Sequence, residues 1–147
     1  MMSELKKHLR QPVLIELCQT QCLSGQQTLV IEEKAEGTLY QIDANTTIVA
    51  YEMVLAQRKK TVTAKLANGV LSIVHIGDVH CRQTFAKGEW YASQFFFEGG
   101  SLICRNYTKK LDYAFSPDGG LIDVLYELWS GDTSMGYYNL ELFMHAP

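Results

Sequence analysis

No stretch of this sequence approaches the roughly 18 consecutive apolar residues that a membrane-spanning helix needs, so no membrane partner is expected. An excess of basic residues is also missing. The formal net charge is -3, whereas a nucleic-acid binder needs a basic face to replace phosphate counterions, so no nucleic-acid partner is expected. The short runs Lys6-Lys7, Arg58-Lys59-Lys60 and Lys109-Lys110 read as solvated strand ends or edge protection. No Gly-x-Gly-x-x-Gly loop is present, and Gly99-Gly100 opens a strand rather than a helix, so no helix N-terminus is offered to a phosphate. No secretory leader is legible. Met1 to Arg10 carries charge, but Val13 to Leu17 is too short for an apolar leader core and no small-residue cleavage site follows. A cytoplasmic location is the expectation, with Cys18, Cys22, Cys81 and Cys104 as reduced thiols. Sustained 3.6-residue periodicity, internal repeats and low-complexity segments are absent as well.

What is present is alternation. The 147 residues are 47% hydrophobic and 20% charged, a globular balance sufficient for one domain with its own core. Residues 1–11 read as a short N-terminal arm or frayed helical turn ended by Pro12. From Val13 onward, period-2 patterns rich in β-branched and aromatic residues recur: Val13 to Gln19, Thr28 to Glu33, Thr38 to Ile42, Thr46 to Leu55 and Thr61 to Leu66. Asn68-Gly69 is the strongest hairpin signal, because both residues tolerate the positive φ of a type I′ turn. Val70 to Phe85 is interrupted at Gly77, read as a bulge or bend. Phe95 to Phe115 forms a central hairpin through Glu98-Gly99-Gly100-Ser101, and Ser116-Pro-Asp-Gly-Gly120 is a turn. Leu121 to Trp129 and Gly136 to Met144 close the series.

About nine such runs joined by short turns favour sequential antiparallel pairing, since parallel strands need long crossovers. Closure removes the exposed edges. The predicted fold is therefore an all-β, antiparallel up-and-down barrel of about eight strands, with a two-sheet sandwich as the alternative.

Gly37-Thr-Leu-Tyr40, Tyr51-Glu52, Asn68-Gly69 leading to Gly77, Phe85, the aromatic strand into Gly99-Gly100, Tyr107-Thr-Lys-Lys-Leu111, Gly119, Tyr126-Glu-Leu128 and Asn139-Leu140 form a spaced pattern over Val13 to Met144. It resembles the small bacterial YwiB-like proteins, a domain family of unknown function. The resemblance implies a lipocalin-like (calycin) barrel and a small-molecule role, with no catalytic residue to carry over. Two departures stand out. The family's arginine before the strand-break glycine is replaced within His75-Ile76-Gly77, and its Tyr-Thr-Pro-Tyr-Gly-like turn by Phe96-Phe97-Glu98-Gly99-Gly100.

Residues able to carry chemistry are few. Cys18 and Cys22 are spaced as a pair, but no second close pair accompanies them, so buried thiols are the simpler reading and no metal is expected. A Cys81–Cys104 bridge would need adjacent strands in register. His75 and His80 flank Gly77, and either could face inward or simply be hydrogen-bonded. No serine or cysteine nucleophile sits at a recognisable elbow.

In a regular strand Arg105, Tyr107, Lys109, Leu111, Tyr113 and Phe115 share one face, the more apolar one, which is assigned inward. Arg105 would then pair with Glu52 or Glu127, or bind an anionic ligand. A bulge would instead put it outside. The candidate ligand-binding residues are Arg105, Tyr107, Tyr126, Phe96, His75 and Glu52, with no cofactor. The leading expectation is a binder of a small amphipathic or anionic molecule. The alternative is a non-enzymatic interaction or scaffold protein with a filled barrel, pairing as a homodimer.

Overall fold

A computed structural model of the chain describes residues 9–22 and 28–147. They form ten antiparallel strands: β1 (Leu9–Cys22), β2 (Thr28–Asp43), β3 (Thr46–Leu55), β4 (Arg58–Ala67), β5 (Val70–Ile76), β6 (His80–Phe85), β7 (Trp90–Phe97), β8 (Gly100–Ser116), β9 (Gly119–Ser130) and β10 (Thr133–His145). Each pairs with its neighbours in sequence, and β1 pairs with β10, so the sheet closes into a barrel. The all-β up-and-down barrel is as expected, with ten strands rather than about eight. Among the described residues no helix is long and apolar enough to cross a membrane.

The extra strands have local causes. Gly77 is not a bulge in one strand. It opens the tight turn of a β5–β6 hairpin, with His75 opposite Cys81. Pro12 does not end an arm: β1 already runs from Leu9, and Pro12 lies opposite Thr38. The β10 ladder reaches only to Leu14, so at Pro12 one side of β1 has no strand partner and the missing N–H is tolerated. Residues 1–8 of the expected arm, and 23–27 of the expected turn, lie outside the described residues. The Asn68-Gly69 turn is as read, with φ of 52° and 78°.

Gly37 neither bends nor bulges β2, whose register to β1 is unbroken. Its role is close approach. A Cβ there would strike the Ile15 side chain, and would stand 2.5 Å from the Ala50 carbonyl oxygen and 2.9 Å from Tyr51 Cβ. Here β1, β2 and β3 approach closely, and beyond it β2 and β3 stop pairing: their ladder runs from Gly37–Tyr51 toward Asp43–Thr46 only.

The middle of the barrel is filled. Val13, Ile15, Val49, Val62, Ala64, Leu71, Phe85 and Val124 are all buried there. A void among Leu17, Tyr51, Val62, Leu71 and Ile122 at that level measures about 10 Å³, at or under the roughly 10–15 Å³ a single water needs.

One seam is held by a side chain. β6 and β7 share only two residue pairs, His80–Phe96 and Cys81–Phe95. Past them the fully buried Asn106 of β8 reaches over, and its Nδ2 donates to the Thr84 carbonyl oxygen at 2.9 Å. Its Oδ1 accepts from Ser93 Oγ at 3.5 Å. The amide thus satisfies a carbonyl that a regular ladder would have satisfied. Asn106→Leu keeps the volume but orphans Thr84 O. It should lower unfolding free energy by about 2 kcal/mol, measured by urea denaturation; an unchanged midpoint would show that the amide does not hold the seam.

Candidate functional site

The inward phase of each strand, followed past the filled middle, changes from apolar to polar at one end of the barrel. In β4 the series Leu66, Ala64, Val62 ends at Lys60; in β5 Leu71 and Ile73 lead to His75; in β6 Phe85 leads to Gln83 and Cys81; in β1 Leu17 leads to Gln19. These groups wall a cavity of about 590 Å³ together with Phe95, Tyr126, Leu128 and Tyr138, and the turns at Ala56 and at Gly77 to Val79 form its rim.

Lys60 and Glu33 form the main ion pair of this end. Lys60 Nζ lies 2.9 Å from Glu33 Oε2 and donates to Oε1 at 3.3 Å. The pair spans β2 and β4 at the level where β2 has left β3. At the rim Arg58 Nη1 stands 3.0 Å from Asp78 Oδ2. On the far wall Gln19 Nε2 donates to the Tyr126 hydroxyl at 3.3 Å. The Tyr126 ring packs 4.7 Å from Phe85 and stacks on Tyr138 at 5.4 Å and 12°.

Burial dominates the electrostatics. It lowers the pKa of His75 to about 4, helped by the nearby Lys60 charge and opposed by Glu33. Burial raises the hydroxyl pKa of Tyr51, and the Glu33 carboxylate raises it further. Glu33 is the charged group that this hydroxyl faces, although the two do not meet in well-aligned hydrogen-bond geometry. Burial also raises the Tyr126 pKa, partly offset by the neighbouring Gln83 and Gln19 amides. The Cys81 thiol is pushed up to about 11 by burial, with Lys60 opposing. Cys81 and His75 are cross-strand partners, yet at neutral pH both are uncharged, the reverse of the thiolate–imidazolium pair that activates a cysteine nucleophile.

Of the six residues predicted from sequence, the structure brings two into this cavity, His75 and Tyr126. The other four are outside. The inward assignment of Arg105 and Tyr107 is corrected by a bulge in β8 between Thr108 and Lys110. Before it Cys104, Asn106 and Thr108 face in; after it Leu111 and Phe115 pack on the core. Arg105 is exposed, its Cζ 5.0 Å from the centroid of the Trp90 ring, with Nη2 donating to the Gly131 carbonyl oxygen at 3.3 Å. The Tyr107 ring lies 5.2 Å from Trp90. Glu52 pairs with Lys59 at 3.1 Å rather than with Arg105, and Glu127 accepts from Ser134 Oγ at 2.8 Å. Phe96 is exposed, 6.1 Å from the His80 ring.

Sequence reasoning missed Lys60, Glu33, Gln19 and Gln83. Their signal was phase: each continues the inward alternation of a strand whose other members are apolar. The described cysteines are all free thiols, and β7 lies between the strands of Cys81 and Cys104, which leaves no bridge. Among the described residues no three His, Cys, Asp or Glu side chains are grouped to hold a metal.

Fold and site together define a closed antiparallel barrel, filled in its middle and open at one end to a cavity whose apolar wall carries a few polar groups. The chain belongs to the family described as a domain of unknown function (DUF1934), whose model matches residues 15–142. Its fold is similar to that in the crystal structure of the ywiB protein from Bacillus subtilis, with a TM-score of 0.83 and 17% identity over 97% of each chain. No curated protein matches the sequence.

The neutral His75 makes stability pH-dependent. An unfolded histidine protonates near 6.5, while the folded one resists to about 4. Stability tied to the neutral imidazole is present above about 6.5 and lost as pH falls toward 4, on the order of 2 kcal/mol given partial exposure. His75→Gln should flatten that acid limb in urea titrations between these pH values; a limb as steep as wild type would place the effect elsewhere.

Proposed function

We propose that this protein is a lipocalin-like, non-enzymatic binder of a small amphipathic or anionic molecule, held in the cavity at the open end of the barrel. The observation that carries this reading is the contrast along the barrel axis: a filled apolar middle beneath a cavity of about 590 Å³ walled by Gln19, Lys60, His75, Gln83 and Tyr126. Converging polar groups on an otherwise apolar concave wall are what small-molecule sites use to fix orientation. His75 and Tyr126 remain ligand contacts in this reading, and Lys60 replaces Arg105 as the cation within reach. Native mass spectrometry of protein purified from its source tests it. A co-purified small molecule should be retained by Arg105→Ala and lost, by at least about tenfold in occupancy, in Gln83→Leu. Retention in Gln83→Leu together with loss in Arg105→Ala would sink the cavity as the site.

A second reading, an interaction protein that pairs with another copy of itself, is favoured by the outside of the barrel. Trp90, Tyr107, Glu127 and Tyr137 stand opposite one another in a row across β7 to β10. Arg105 lies over the Trp90 ring, and Lys109 Nζ is 4.7 Å from the Tyr137 ring centroid. Trp, Tyr and Arg are the residues enriched at interface centres. Sedimentation velocity should then show a dimer that Trp90→Ser dissociates; a wild-type monomer across the concentration series removes this reading.

A further inference from the structure

The cavity wall sets a few uncharged polar groups among apolar ones, and this inference rests on the reading of the cavity as a binding site. The uncharged polar groups of the wall are the Gln19 and Gln83 amides and the Tyr126 hydroxyl, which accepts from Gln19, set among Phe95, Leu128 and Tyr138. The charged groups of the wall are already matched within the chain. Both carboxylate oxygens of Glu33 engage Lys60, Asp78 holds Arg58, and Glu52 holds Lys59. A ligand carboxylate reaching Lys60 would either displace Glu33, whose side chain is only 16% exposed, or set a second negative charge beside it, and both are costly where water is scarce.

The rim carries the Arg58–Asp78 pair on its turns, and beside the wall residues Gln19 and Phe95 the longer strands extend past the cavity with apolar side chains. Ile31, Phe97 and Leu102 lie on the inward phase of their strands, in step with Glu33, Phe95 and Cys104, yet they are 42%, 45% and 40% exposed. They are uncovered because their strands outrun their neighbours: β8 pairs with β9 only from Arg105 onward, and β2 pairs with β3 only from Gly37 onward. Exposed apolar surface beside a cavity is the kind of surface that the trailing part of an amphiphile can cover.

We propose that the ligand is an amphiphile with an uncharged hydrogen-bonding head, bound head inward: the head seats on Gln83, Gln19 and the Tyr126 hydroxyl, and the apolar tail leaves across Ile31, Phe97 and Leu102. A neutral head satisfies the amides without breaking the Lys60–Glu33 pair, and the tail covers rim surface that otherwise faces water. An anionic amphiphile of the same length meets the same rim but must compete for Lys60.

The test uses the full chain and four eight-carbon probes: octanamide, octyl glucoside, octanoate and octylamine. Calorimetric titration at neutral pH is combined with nuclear magnetic resonance of the side-chain amides. Octanamide and octyl glucoside should bind and shift the Gln19 and Gln83 amide signals. Octanoate and octylamine should bind at least about tenfold more weakly, and Gln83→Leu should cost octanamide about tenfold. Acetamide, which keeps the head and loses the tail, should bind at least about tenfold more weakly than octanamide. Octanoate or octylamine binding as tightly as octanamide overturns the uncharged head while leaving the cavity a binding site. Octanamide binding that shifts core methyl signals and spares both amides overturns the orientation. Failure of every probe to perturb the cavity overturns this inference and the cavity reading together.

Discussion

Closure of this barrel is thinnest at one seam, and a buried amide bridges it. Closure requires that each strand find a partner on both sides, because an unpaired backbone edge inside a compact fold leaves donors and acceptors without hydrogen bonds. Between β6 and β7 the ladder supplies only two residue pairs. Asn106, wholly buried, completes the seam by donating to Thr84 O. Nearby the backbone of β8 helps, since Gly88 N donates to Thr108 O at 2.8 Å and Thr108 N to Glu89 O at 3.2 Å. A buried amide is costly unless its hydrogen bonds are made. Here its cost is offset by the seam it closes, and that seam forms one wall of the cavity through Cys81, Gln83 and Phe95.

The same strand decides which residues meet a ligand. The bulge at Lys109 reverses the phase of β8, so that the two halves of one regular-looking sequence, Cys104 to Phe115, present opposite parities to the core. Alternation alone cannot locate such an insertion, because each half is a valid strand. This is why Leu111 and Phe115 were legible as inward and Arg105 was not. Once outside, Arg105 gains the Trp90 face and a backbone carbonyl, and the cost of burying a guanidinium does not arise. The fold was legible because its signals are local: β-branched alternation, Asn68-Gly69, and the Pro117-Asp118 turn between β8 and β9. The strand count was less so, because Gly77 serves a hairpin turn and a bulge equally well on paper.

The site was hardest to read because it is built from ordinary strand residues at the ends of apolar series. Lys60, in a run of basic residues, looks like a solvated strand end. Only its phase with Val62, Ala64 and Leu66 reveals that it points inward. Glu33, between Glu32 and Lys34, is disguised in the same way. Their ion pair joins β2 to β4 across a place where the ladder between β2 and β3 has ended. Tyr51 and His75 stand at the boundary, touching the small void of the core, with His75 also lining the cavity. Burial keeps the His75 imidazole uncharged well below neutral pH and moves the already neutral Tyr51 hydroxyl further from ionisation. The transition from dry core to wet cavity therefore takes place within one residue layer.

The β1–β10 ladder, from Leu14–His145 to Cys22–Tyr137, joins strands from opposite ends of the sequence. Of the ten strands β1 is synthesised first, and it waits for its second neighbour until β10 follows. Throughout that interval the apolar series Val13, Ile15 and Leu17 borders an open edge able to pair with any passing strand. Loop closure over such a span is slow relative to hairpin formation. The nascent hairpins are thus made early and the barrel late. A chain cut short within β10 would be left as an open, sticky sheet rather than a smaller barrel.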